Sequence, residues 1–157
     1  MLTPVNSIFK ILIMERYLDL LLEQMNKNRQ INELTKKTRD AIAAGNIGMV
    51  MESDAMKREI FSQLQSLQAE MDPYLAELPT QLDFLSPQLK DQILTVSKHL
   101  QGIIEETIAI DRENEVKIGG LRDAIGEKMK EIGKGKKALK GYKSPTNKKP
   151  KLFDGQI

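Results

Sequence analysis

The chain has 157 residues, 40 % hydrophobic and 29 % charged, with no Cys, no Trp and 4 % aromatic residues. That length supports one ordinary domain rather than two, and the missing Cys excludes disulfides and thiolate metal sites. A core this poor in aromatics is filled by Leu, Ile, Met and Ala, which suits the seams between helices better than a β-sandwich.

The net charge of +2 is unevenly spread. Residues 134–157 hold eight Lys against Asp154, a net +7, and leave 16 basic and 21 acidic side chains, a net −5, before them. An acidic folded part followed by a basic tail is the expected arrangement.

At the N-terminus, Ile8 to Met14 is apolar apart from Lys10. Glu15 and Arg16 follow at once and no small-residue cleavage site does, so the run reads as the first turns of a helix. Met14 is also a candidate start, in which case residues 1–13 are dispensable. From 7 to 44 there is neither Pro nor Gly. Ile11, Met14, Leu18, Leu21, Leu22 and Met25 recur at helical spacing, and Ile31, Leu34, Thr38, Ala41 and Ile42 continue the stripe. Gly45-Asn46 then supplies the left-handed residues that end helices.

A second helix is predicted over 47–71, with Val50, Ser53 or Asp54, Lys57, Ile60, Leu64, Leu67 and Met71 on one face. So short a connection makes an antiparallel hairpin. Pro73, Pro79 and Pro87 predict a loop over 72–86. Ser86-Pro87 reads as an N-cap with Pro at the first helical position.

A third helix is predicted over 86–133. Its apolar row is Ile93, Val96, Leu100, Ile103, Thr107, Ile110, Asn114, Ile118, Leu121, Ile125, Met129 and Ile132. Thr107 and Asn114 are polar interruptions of the kind that fix register in a helical seam. Glycine costs a helix about 1 kcal/mol relative to Ala, so Gly119-Gly120 leaves open a bend or a break there. Beyond Gly135, the Lys-rich segment with Pro145 and Pro150 predicts a disordered tail over 143–157.

The expected fold is therefore all-α: an elongated up-and-down antiparallel bundle or coiled coil of three long helices. A fourth helix starting near Gly120 is the alternative. One helical domain is drawn over 1–142. An unbroken 86–133 helix would be ~72 Å long against ~55 Å for the first and ~38 Å for the second, at ~1.5 Å per residue. Leu121, Ile125, Met129 and Ile132 would then have no partner within the chain, and uncovered apolar surface costs about 25 cal/mol per Å².

Signals for chemistry are weak. His99 is the sole His and has no Glu-x-x-His companion, so it reads as a surface or seam residue. Glu105 and Glu106 are adjacent and point apart. Gly-Lys-Gly-Lys-Lys at 133–137 lacks the strand and the Ser or Thr of a phosphate loop. The expectation is a protein that is not an enzyme, takes no cofactor and no metal, and acts by binding other proteins through its helices. The tail lacks interleaved aromatics, so specific nucleic-acid binding is not expected, and neither is membrane insertion. Two rivals stay open: a structural coiled-coil protein acting as a homodimer, and a basic-tailed nucleic-acid or membrane accessory.

Several segments in order resemble the FlgN-type flagellar type III export chaperones. They are Glu15-Arg16-Tyr17-Leu18-Asp19-Leu20-Leu21-Leu22-Glu23-Gln24, Ala41-Ile42-Ala43-Ala44-Gly45-Asn46-Ile47 leading into Lys57-Arg58-Glu59-Ile60-Phe61, Arg112-Glu113-Asn114-Glu115, and Lys136-Lys137-Ala138-Leu139-Lys140-Gly141-Tyr142. The resemblance spans 14–154, and FliT-type chaperones are similar in size and class. It implies a cytoplasmic chaperone in flagellum biogenesis that binds the C-terminal helical segment of hook-associated proteins and delivers them for type III protein export. The family's substrate-binding surface would fall on Asn114, Ile118, Leu121, Ile125, Met129 and Ile132. Tyr142 matches the residue that contacts the export gate component FlhA.

Overall fold

The computed structural model describes residues 4–142, with side chains described over 8–137. Three long helices make up almost all of it: α1 Pro4–Ala43, α2 Ile47–Gln81 and α3 Pro87–Tyr142. A 3-10 turn, Leu82–Phe84, joins α2 to α3. No strand occurs among the described residues, so the all-α class is as the sequence implies. The chain divides into two compact units, Met1–Asn114 and Glu115–Ile157.

The α1–α2 junction follows from two residues. Gly45 takes φ +68°, and its N–H donates to the Ile42 carbonyl at 3.1 Å while the Asn46 N–H donates to the Ala41 carbonyl at 2.8 Å. These are the paired bonds that close a helix over a left-handed glycine. Asn46 also starts the next helix, its Oδ1 accepting from the Met49 N–H at 3.1 Å. Ser86 caps α3 as expected, its Oγ accepting from the Leu89 N–H at 3.2 Å.

One expectation needs correction, and one open alternative does not occur. The predicted loop over 72–86 is mostly helix, because α2 runs through Pro73 and Pro79 to Gln81. Each proline removes an N–H and crowds the carbonyl four residues back. Met71 is buried, however, and Tyr74 and Leu78 pack on the core beyond it. The 3–4 spacing of Leu67, Met71, Tyr74 and Leu78 thus continues across the prolines, and burial outweighs local propensity. Pro79→Ala is accordingly expected to stabilise the fold by about 1–3 kcal/mol, readable as a higher urea midpoint. An unchanged or lower midpoint would mean that Pro79 sits without strain.

The other point is the junction left open at Gly119-Gly120. No break and no fourth helix occurs there: α3 is continuous across the pair. A long helix tolerates a residue of poor propensity, because nucleation costs far more than extension. The predicted disordered tail, 143–157, lies outside the described residues.

The core of the first unit is built from Met14, Tyr17, Leu20, Leu21 and Met25 of α1, Leu67 and Met71 of α2, and Leu89, Ile93 and Leu100 of α3. Burial raises the Tyr17 phenol above its ordinary value of 10.0. A raised folded-state value means that the stability from neutral Tyr17 is present below about pH 10 and is lost as pH climbs through that range. Toward the α1–α2 turn, the same stripes become polar. Asn32 Nδ2 donates to Thr107 Oγ1 at 2.9 Å, and Asn114 Nδ2 to the Thr35 carbonyl at 3.2 Å. Both bonds tie α3 to α1, a geometry suited to fixing register.

Candidate functional site

Two surfaces stand out once the core is accounted for. One lies in the second unit, on α3. No residue from 115 to 137 is buried, although apolar residues recur there at a 3–4 spacing. Ile118, Ile125 and Met129 are partly exposed, and Leu121 and Ile132 are exposed at 39 % and 47 %. At about 100° per residue these five side chains fall within roughly 80° of the helix circumference. They form a narrow apolar row of which no member is buried among the described residues.

Asn114 belongs to that row by spacing but not by environment. It is buried at 2 % exposure and bonds to Thr35 of α1, so it is part of the first unit's interior. Its Oδ1 accepts no hydrogen bond among the described residues. Tyr142 closes α3, but its side chain lies outside those described.

The second surface is an open groove of about 1020 Å³ in the first unit, between α1 and α3. Arg29, Asn32 and Glu33 line it from α1, and Lys98, His99, Gly102 and Glu106 from α3. Charges of both signs face it, and Lys36 pairs with Glu106 at 3.1 Å, so no single sign of ligand is favoured. His99 is exposed, a surface position. No cluster of three or more His, Asp or Glu able to hold a metal ion occurs among the described residues. Nor is any helix there long and apolar enough to cross a membrane.

Sequence reasoning missed some exposed apolar residues. Ile11, assigned to the buried stripe, is 43 % exposed, and Ile8, Phe9 and Leu12 are more so. Among the described residues the first fully buried one is Met14. The Ile8–Met14 run has no polar partner face in its periodicity apart from Lys10, which is the signal that could have flagged it. On α2, Met49, Met51 and Met56 are all exposed.

Comparisons of the chain with protein-family models, curated proteins and solved structures found no match.

Proposed function

We propose that the chain is a cytoplasmic flagellar export chaperone of the FlgN type. In this reading it receives the C-terminal helical segment of a hook-associated protein and hands it to the type III export apparatus, with FlhA as the gate component. The observation that carries the proposal is the apolar row Ile118, Leu121, Ile125, Met129 and Ile132, none of it buried among the described residues. Burying one Ile or Leu side chain contributes about 1.5–3 kcal/mol, so five in register are enough to hold an amphipathic helix. The ordered segments that resemble the family supply the choice of partner.

The residues divide by role. The five apolar side chains would contact the substrate helix. Asn114 would act inside, through its bond to the Thr35 carbonyl, by holding α3 against α1. Tyr142 would meet the gate.

The test is co-purification of the full chain with a hook-associated protein. Ile125→Asp or Leu121→Asp is expected to weaken the complex at least about tenfold, because a carboxylate would be buried without a partner. Both positions lie on a solvent-facing helix surface, so helicity by circular dichroism should hold. Undiminished co-purification would show that the substrate binds elsewhere.

A further inference from the structure

The surroundings of the apolar row say more about its occupant than the row itself. Residues 117, 122 and 128 fall at its two borders, Arg122 on one side and Lys117 and Lys128 on the other, by about 100° per residue. All three are exposed, and none forms an ion pair among the described residues. Lys130, further round the helix, pairs with Glu127 at 3.7 Å. Asp123, Glu127 and Glu131 lie toward the opposite side, and Glu115 is the acid nearest a border, at its N-terminal end. Among the described residues, the borders of the apolar row are thus mainly unpaired positive charge.

Glycine supplies an independent feature. Gly119, Gly126 and Gly133 recur every seven residues along the Arg122 edge, and a Cβ at any of them would meet nothing within 4 Å. Each glycine costs the helix about 1 kcal/mol relative to Ala. Among the described residues nothing in the packing requires that cost, because an alanine fits freely at all three. Bare backbone along one edge of an apolar row allows close approach by another chain.

We infer that residues 117–133 of α3 seat an amphipathic helix of a partner protein whose apolar stripe is bordered by Asp and Glu and which approaches over the Gly119-Gly126-Gly133 edge. The inference rests on the reading that this face receives a partner's helix. Charge complementarity selects the partner: acidic borders meet Lys117, Arg122 and Lys128, whereas a second copy of this chain would set those cations against each other. An anionic membrane would also meet the cations. A lipid surface, however, has no use for a glycine edge, and it is entered by broader apolar faces with aromatic residues, which this row lacks.

The experiment uses the full chain and two labelled synthetic helices of about 21 residues. Both carry one Leu/Ile stripe; one is bordered by Glu and the other by Lys. The Glu-bordered peptide is expected to bind at least about tenfold more tightly, and less so as salt rises. Reversing the frame with Lys117→Glu, Arg122→Glu and Lys128→Glu together should invert the preference. Gly126→Leu should weaken binding at least about tenfold while helicity rises.

Equal binding of the two peptides, binding of neither, or a preference indifferent to the reversal overturns the inference. So does a dimer of the chain that Ile125→Asp dissociates, or capture by phosphatidylglycerol vesicles that the triple reversal abolishes. A hook-associated protein lost with Ile125→Asp, yet unaffected by the charge reversal and Gly126→Leu, overturns this inference and leaves the chaperone reading standing. An inverted peptide preference without any hook-associated complex does the opposite.

Discussion

Replacing Ile93 by Ala is expected to lower the unfolding free energy by about 2–5 kcal/mol, while Leu94→Ala beside it should change it by less than about 0.5 kcal/mol. Ile93 is 1 % exposed and belongs to the cluster that holds α3 against α1 and α2. Deleting three of its carbons removes their transfer energy and leaves a cavity that long helices, pinned along their length, close only in part. Leu94 is 50 % exposed and lies 100° further round the helix, so its truncation removes surface that water already reaches. Urea denaturation of both variants gives the comparison. Similar losses at the two positions would mean that α3 packs on a different face from the one described.

The contrast between neighbours shows why so much of the fold was legible in the sequence. A helix that buries one stripe writes a 3–4 spacing into the chain, and Met14, Leu21, Met25, Leu67, Met71, Ile93 and Leu100 lie on the stripes that spacing identifies and are buried. The turn was equally plain, because Gly45 and Asn46 are among the few residues suited to ending one helix and starting another. Legibility failed where two signals competed. At 72–81 the prolines spoke for a loop, and the continuing row of Met71, Tyr74 and Leu78 spoke for a helix; tertiary packing decided, and no local rule weighs packing. At Gly119-Gly120 the local cost was real but small against the cooperativity of a helix already formed on both sides. The α3 face was visible as an apolar row, yet nothing in its spacing tells a row that meets its own chain from one that does not. Exposure makes that distinction, and it separates buried Asn114 from exposed Leu121 although both keep the same rhythm.

The polar end of the bundle supports the second large effect, one that depends on which partner of an ion pair is removed. Lys57 is buried at 8 % exposure, with its Nζ 3.1 Å from Asp111 Oδ1 and 3.7 Å from Asp54 Oδ1. It also donates to Thr35 Oγ1 at 3.5 Å. The carboxylates are better placed, with side chains 38 % and 42 % exposed. Asp111→Ala therefore strands a desolvated ammonium with only the longer Asp54 and Thr35 contacts. A loss of about 1–3 kcal/mol is expected, below the 3–5 kcal/mol of a fully buried pair because water reaches Asp111 and screens it. Lys57→Met should be neutral or stabilising by up to about 1 kcal/mol: the thioether fills the same space, and the freed carboxylates rehydrate where they stand. Chemical denaturation of the two single variants and the double variant separates the cases. If Asp111→Ala costs no more than Lys57→Met, the ammonium is effectively hydrated and the layer sets register through the Asn32–Thr107 and Asn114–Thr35 bonds alone. If the asymmetry holds, Lys57 adds little net stability to the fold, and a stripe position that an apolar residue would fill more safely is kept polar beside Thr35 and Asp111, where it ties α2 to both other helices.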